Sequence, residues 1–413
     1  MATNLTINGQ RLWDSLMELA EIGATPKGGV CRLTLTDLDK QARDLFIRWC
    51  KEAGAAISVD SMGNIFARRE GRDPARAPVM TGSHIDTQPT GGKFDGAYGV
   101  MAGLEVLRSL NEMEFETEAP IEIAVWTNEE GARYAPAMTG SGVFAGVFDE
   151  AETKAKTDRD GIAFGQALAD IGYVGTVPCG GRKVGAFFEC HIEQGPILEA
   201  EGKTIGVVTG GQAQRWYEVT LTGQESHAGT TPMERRRDAL LGAARLIDNV
   251  NHIGMTRLPA ARATCGVIES YPGSRNTIPG RVFLTVEFRH PDEAELSAMD
   301  ATFRAQAARI AGEIGLALEI KDIWHFPATP FAPDCVAAVR EAAAARGFPH
   351  RDIISGAGHD ALYMARVAPT AMIFVPCDDG ISHNEIEASK PEHIAAGCQV
   401  LLDAMIRRAN APK

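Results

Sequence analysis

The chain has no Cys-x-x-Cys pair, no apolar run of membrane-spanning length and no excess of basic residues. Each absence removes a class. The cysteines (Cys31, Cys50, Cys179, Cys190, Cys265, Cys335, Cys377, Cys398) follow no regular spacing. They read as reduced, mostly buried thiols of a cytoplasmic protein, not as a disulfide framework. Without a long apolar run, no membrane-spanning helix is expected. A formal net charge of −13 argues against nucleic acid or an anionic membrane as a partner. The start, Met1 to Asn8, offers neither a basic nor an apolar segment, so no signal peptide is expected. Internal repeats and low-complexity tracts are also missing. What remains is 413 residues of ordinary globular composition, 45% hydrophobic and 23% charged. That is enough chain for two domains and a sizeable core.

The first half alternates helix and strand patterns. Leu12 to Leu19 is amphipathic, and Arg43 to Glu52 reads as helix. Ile57–Asp60 and Asn64–Ala67 flank a turn at Met62-Gly63 and read as a hairpin. Val79 to Gly82 is a short buried strand, and Gly96 to Leu110 places Val100, Leu104 and Leu107 on one helical face. Ile121 to Thr127 is a strand that ends at Asn128-Glu129-Glu130-Gly131. This alternation predicts an α/β fold with a mixed or parallel sheet and sites at the strand ends. The middle differs. Arg215–Gly223, Ala263–Glu269, Arg281–Arg289 and Leu316–Ile320 read as strands, with helices over Asp238–Val250 and Glu293–Ile314. The order β-α-β-β-α-β describes a ferredoxin-like module. The α/β pattern returns after Pro327-Ala-Thr-Pro330, with a buried strand at Ala371–Val375. A domain at 213–327 is therefore expected inside a discontinuous domain formed by 1–212 and 328–413.

The chemistry gathers around Gly82-Ser83-His84-Ile85-Asp86-Thr87 and Lys93-Phe94-Asp95-Gly96. Acids and an imidazole packed this closely at a strand end are costly unless a cation or mutual hydrogen bonds satisfy them. Glu130, His191 (in Glu189-Cys-His-Ile-Glu-Gln-Gly195) and His383 (in Gly380-Ile-Ser-His-Asn384) also follow apolar, strand-like runs. In an α/β sheet such ends converge on one edge. Imidazole and carboxylate together suit Zn, Mn, Co or Ni. Five ligands with one shared carboxylate fit two metals better than one, with Asp95 as the bridge. Asp86 can accept the other N–H of His84 and fix its tautomer. Glu129 is placed to move a proton between water and a leaving nitrogen. A lone His-x-Asp is ordinarily a surface pair, and a Glu-Glu pair ordinarily a solvated turn. A single histidine is ordinarily a satisfied core or surface residue. It is the joint order of all five segments that is improbable by chance.

That order resembles the aminoacylase/carboxypeptidase clan of dinuclear metallohydrolases. Within the clan it resembles the amidohydrolases of N-carbamoyl amino acids, β-ureidopropionate and allantoate. The likeness rests on Gly82–Gly96, Asn128–Gly131, His191–Pro196, Ser226–Pro232, Pro279–Arg289 and Ser355–Asp360, and it covers almost the whole chain. The most specific segment is His191-Ile-Glu-Gln-Gly-Pro196, because peptidase relatives place a carboxylate where His191 stands. The resemblance implies a metallopeptidase-like catalytic domain with an inserted dimerisation domain. It implies two divalent metals per subunit on His84, Asp95, Glu130, His191 and His383. Glu129 becomes the general base and Asp86 the orienting acid, while His227 reaches a partner subunit's site to stabilise the oxyanion. Gln194, Asn276 and Arg289 would bind substrate, and Gly358 and His359 would line the pocket.

The residues themselves allow plainer readings. Arg289 could grip a carboxylate through its bidentate fork, or be an exposed strand-end arginine. Asn276 could be a turn former, His227 a solvated loop residue, and His359-Asp360 a helix-capping pair. The expected activity is hydrolysis of the carbamoyl amide of an N-carbamoyl-L-amino acid or N-carbamoyl-β-alanine to amino acid, carbon dioxide and ammonia. Allantoate amidohydrolase is the second reading. A dipeptidase or N-acyl amino acid hydrolase ranks lower, given His191. A non-catalytic dimeric binding protein ranks lower still, because Glu129 and all five ligands are present. A homodimer through the inserted domain and a small ureido acid as substrate complete the expectation.

Overall fold

The computed structural model describes residues 5–412. The amphipathic start forms the helix Gly9–Ala20. The next helix, Asp37–Glu52, begins earlier than the predicted Arg43 because Thr36 caps it. The Thr36 hydroxyl accepts from the Asp39 amide at 3.3 Å, satisfying a donor the helix itself leaves unpaired. Strands β1 (Ala56–Val59) and β2 (Ile65–Arg69) pair antiparallel as the predicted hairpin. Then come β3 (Val79–His84), the helix Ala97–Glu112, β4 (Ile121–Trp126), β5 (Ala186–Ile192) and β6 (Ile205–Gly211).

Chain order continues with β7 (Ala213–Thr222), β8 (Ser226–His227), β9 (Arg262–Thr264), β10 (Ile268–Tyr271), β11 (Thr277–Ile278), β12 (Arg281–His290) and β13 (Ala317–Phe326). It returns through β14 (Thr329–Pro330), β15 (His350–Ser355), β16 (Thr370–Val375) and the helix Pro391–Ala409. Two compact units result. One holds the residues up to Gly210 and from Pro330 onward; the other is Gly211–Thr329.

In the first unit the sheet runs β1-β2-β4-β3-β5-β16-β6. Its centre, β4-β3-β5-β16, is parallel throughout. Every residue of those four strands is buried, as expected of parallel strands covered on both faces. Parallel direction puts their C-terminal ends on one sheet edge, where open α/β sheets bind ligands. Antiparallel strands flank this core on both sides.

The second unit is an antiparallel sheet ordered β10-β12-β7-β13, with β9 also paired to β12. Helices Ala239–Met255 and Glu293–Ile314 cover one face, closing a core that includes Tyr217, Leu246, Phe288 and Phe303. This is the ferredoxin-like β-α-β-β-α-β order. One predicted strand, Ala263–Glu269, is two. Thr264 lies opposite Glu287 and Ile268 opposite Leu284, so β9–β10 carries one extra residue at a bulge around Gly266. The predicted Leu316–Ile320 extends to Phe326, because the apolar alternation fades at Lys321-Asp322 while the pairing with β7 continues. Among the described residues no helix is long and apolar enough to cross a membrane.

Candidate metal centre

The edge formed by the parallel strands collects the sequence-predicted ligands. His84 is the last residue of β3, and His191 lies one residue before the end of β5. Asn128, just past β4, takes a left-handed φ of +60° and is held by its amide on the Tyr134 carbonyl and the Thr139 hydroxyl, each at 2.8 Å. That turn ends the strand and lets Glu129 and Glu130 leave in different directions. Asp95 precedes the helix Ala97–Glu112, and His383 sits in the loop beyond β16 with a φ of +53°.

Asp95 is the meeting point. Its Oδ1 lies 3.4 Å from His84 Nε2 and 3.2 Å from His191 Nε2. Its Oδ2 lies 3.3 Å from His383 Nε2, which is 3.5 Å from Glu130 Oε2. Among the described residues three groups could hold a metal: His84–Asp95–His191 and Asp95–Glu130–His383 share one carboxylate, and Glu189–His191–His359 shares His191 with the first. These spacings can be tested against an ion. With tetrahedral bonds of about 2.0–2.2 Å, ligand atoms stand about 3.3–3.6 Å apart. Four separations, 3.2–3.5 Å, match such edges and the ligand atoms of each group lie within 4.8 Å of one another, so the side chains can close on a divalent cation in each of the two groups that share Asp95. Ring orientation agrees. His84 Nδ1 lies 2.8 Å from the Asp86 carbonyl and His191 Nδ1 2.9 Å from the Ile192 carbonyl. Each Nδ1–H donates there, which leaves Nε2 as the ring nitrogen that faces Asp95: protonated, it donates to that carboxylate; deprotonated, it offers its lone pair to a cation.

Electrostatics point the same way. Burial lowers the pKa of His84, but Glu129, Asp95 and Asp86 outweigh it and hold the imidazole well above its ordinary value. His191 is raised too, its Asp95 hydrogen bond outweighing burial. Asp95 accepts from His383 and lifts it to about 9. Burial would raise Asp95, but the hydrogen bonds from His191, His383 and His84 hold it well below the usual carboxylate range. Burial pushes Glu130 up to about 7, with Asp95 adding to the effect. Burial, then Asp360 and Glu130, raise Glu129 well above its usual value against the pull of His84. The imidazoles thus serve as the local cations of an acid-rich pocket, a role a metal ion fills better.

Glu129 Oε2 lies 3.4 Å from His84 Nε2, so its carboxylate faces the His84–Asp95–His191 group. Glu130 faces the other. The Asp86 carboxylate departs from the expected geometry. It is 3.7 Å from His84 Nδ1, farther than Asp86's own backbone carbonyl. It accepts instead from the Glu129 and Glu130 amides, each at 3.3 Å. Asp86 therefore aims the two glutamates, and its backbone aims His84. Gln194 Nε2 donates to Asp95 Oδ2 at 2.9 Å and to Ser382 Oγ at 3.1 Å. His359 is buried, its ring centroid 4.5 Å from that of His191, and burial keeps its pKa well below normal. It stands at the N-cap of Asp360–Met364 without a side-chain capping bond, so the capping alternative does not hold. Gly358 lies against Met138, where a Cβ would come within 3.1 Å of the methionine methyl.

Three predicted residues belong to the second unit. His227, on β8, pairs with Thr277 on β11, and the Ala228 amide donates to the Asn276 carbonyl at 2.9 Å. The unit thus brings His227 and Asn276 together. His227 Nδ1 accepts from the Gly229 and Thr230 amides at 3.0 and 3.3 Å. The neutral ring then carries its proton on Nε2, an exposed donor. Arg289 ion-pairs with Glu287 on the same strand.

Sequence reasoning missed the supports. Gln88 holds Glu130 through its amide nitrogen at 3.1 Å and its side chain at 2.7 Å. Glu387 and Ser382 hold the Asp95 loop. Single polar residues bonded to backbone amides or to the ligands themselves leave no spacing pattern, so no motif announces them.

Residues 80–407 match the family described as Peptidase family M20/M25/M40. An N-carbamoyl-L-amino-acid amidohydrolase of Rhizobium meliloti is 49% identical over 406 residues, covering 98% of each chain. An allantoate amidohydrolase of Bacillus subtilis is 35% identical over 96% of this chain and 97% of its own. The crystal structure of an amidase of the hydantoinase/carbamoylase family from Burkholderia multivorans superposes with a TM-score of 0.95 at 62% identity, covering 100% of both chains. With a parallel strand edge that gathers histidines and acids at metal-ligand spacing, the chain belongs to Peptidase family M20/M25/M40, a metal-dependent family, and is a hydrolase of C–N amide bonds.

Proposed function

We propose that this protein hydrolyses the carbamoyl C–N bond of N-carbamoyl-L-amino acids, giving the amino acid, carbon dioxide and ammonia. The observation that carries the reading is the pair of ligand groups meeting on the two oxygens of Asp95, with the Glu129 carboxylate beside one of them. The relative at 49% identity supports the substrate class. The proposed ligands are His84, Asp95 and His191 for one divalent ion and Asp95, Glu130 and His383 for the other, drawn from Zn, Mn, Co or Ni. Bound cations supply carbonyl polarisation and a lowered pKa for water.

The chain's own residues do the rest. Glu129 takes the proton of the attacking water and returns it to the leaving nitrogen. Asp86, through the Glu129 amide, keeps that carboxylate in place. The Nε2–H of His227 serves the oxyanion, supplied by the partner of a homodimer. Arg289 grips the substrate carboxylate, and Asn276 and Gln194 fix its polar atoms. Strand β10, at the edge of its sheet with Ile268 and Tyr271 exposed, supports dimerisation through the second unit.

Ammonia release from metal-loaded protein tests the reading, with N-carbamoyl-L-amino acids, N-carbamoyl-β-alanine, allantoate and dipeptides compared side by side. Glu129→Gln is expected to lower kcat by at least about 100-fold while metal content stays at the wild-type level. No turnover of any ureido acid overturns the proposal. Preference for allantoate establishes the second reading, which the Bacillus subtilis relative supports.

A further inference from the structure

The three histidines of the centre are held differently. His84 and His191 are buried strand residues, each with Nδ1 tied to a backbone carbonyl. His383 lies in a loop, its side chain is 52% exposed, and among the described residues its Nδ1 has no such tie. Its position depends on what holds the loop.

That anchor is Glu387. It is 4% exposed and lies four residues beyond His383. Its Oε1 accepts from the amides of Phe94 and Asp95 at 3.0 and 3.1 Å. Its Oε2 accepts from the Ser382 hydroxyl at 2.8 Å, and that hydroxyl lies 3.1 Å from Asp95 Oδ2. One side chain therefore binds the backbone of the bridging aspartate and the residue preceding His383. Gly92 makes room for it, since a Cβ there would collide with the Glu387 carboxylate. The Glu387 amide closes the loop on the Asn384 carbonyl at 3.0 Å.

We infer that Glu387, with Ser382, is a positioning residue that fixes His383 against Asp95 and so sets the affinity of the Asp95–Glu130–His383 group for its cation. The His84–Asp95–His191 group shares Asp95, but its two histidines have their own strand anchors, so it depends on Glu387 less. The inference rests on the two-cation reading of the centre. Residues that orient metal ligands typically change metal affinity 10–100-fold when removed.

The test is an equilibrium competition of the full-length protein against a chromophoric chelator with Zn²⁺, reading each binding step separately. Wild type is expected to take up two ions. Glu387→Ala is expected to weaken one step by about 10–100-fold and leave the other within a few-fold. Glu387→Gln keeps an acceptor for the two amides and is expected to recover most of the loss. Ser382→Ala removes the hydroxyl that Glu387, Asp95 and Gln194 share, leaves the Phe94 and Asp95 amides on Glu387, and is expected to fall between. On a His383→Ala background, Glu387→Ala is expected to add little, because the two changes then act on one contact.

Equal weakening of both steps, or full additivity with His383→Ala, would mean that Glu387 acts through Asp95 or the fold as a whole and not through His383, and overturn the inference. Unchanged affinity in Glu387→Ala overturns it as well. A wild-type protein that binds fewer than two ions overturns the two-cation reading itself, so the two failures are distinct.

Discussion

Gly96 has little freedom at the centre. Its φ of +64° with ψ of −49° is closed to L side chains, and a Cβ there would run into the His84 imidazole. Its amide also points at His191 Nε2, 3.1 Å away. Gly96→Ala is therefore expected to displace His84 and cut metal affinity by about 10–100-fold, and to lower the stability of the metal-free protein by about 1 kcal/mol or more, because the backbone strain does not depend on the ion. Chelator competition and calorimetry of the metal-free protein check both halves; full affinity would mean that the ring moves aside at no cost. The Asp-Gly pair was visible in the sequence as part of a motif, and so were His84, Glu129, Glu130, His191 and His383. Each carries chemistry of its own and follows an apolar run. Gln88, Ser382 and Glu387 were not visible, because their partners are backbone amides and already-bonded ligands, and any polar loop residue could have made those bonds. Asp86 lay between these cases. Its place beside His84 was legible, but which atom of Asp86 meets the imidazole depends on a loop geometry that spacing does not encode.

Elements were legible where the apolar pattern is long. The buried runs that became β3, β4, β5 and β16 set the parallel core, and the turn after β4 followed from Asn128-Glu-Glu-Gly131. Element ends were less legible because caps and bulges decide them. Thr36 moved one helix start, and the extra residue near Gly266 broke one strand into two. Caps also permit a stability test. Asp238 caps Ala239–Met255, its Oδ1 accepting from the Leu240 and Leu241 amides at 3.0 and 3.1 Å. That helix contributes Ala243, Leu246 and Val250 to the core of the second unit. Asp238→Ala should cost about 1 kcal/mol, the usual loss when a capping carboxylate is removed. Hydrogen exchange should then show faster opening in peptides from 239–255, while peptides from β3 and β5 keep their protection. Equal acceleration in both units would mean that the chain opens as one cooperative body, and the local effect would be refuted.

For the molecule as a whole, the strand and helix order changes character near Arg215 and again after Pro327, which is what the expected insertion rests on. The expected limits of 213–327 compare with the compact unit Gly211–Thr329. Subunit number has no comparable pattern in the sequence, since an edge strand such as β10 looks the same whether a partner covers it or not. Function offers a sharper probe than size. If His227 serves the partner's site, two individually inactive variants should repair each other. A subunit carrying Glu129→Gln keeps its His227, and a subunit carrying His227→Ala keeps its Glu129. In the mixed dimer one site then has both groups and the other has neither. Random exchange of equal amounts makes about half the dimers mixed, so activity should return to about a quarter of the wild-type value. The rise should need time and conditions that let subunits exchange, and it should fail when either variant is omitted. If His227 acts on its own subunit, no site in any mixture holds both groups, and activity stays at the level of the separate variants at every ratio.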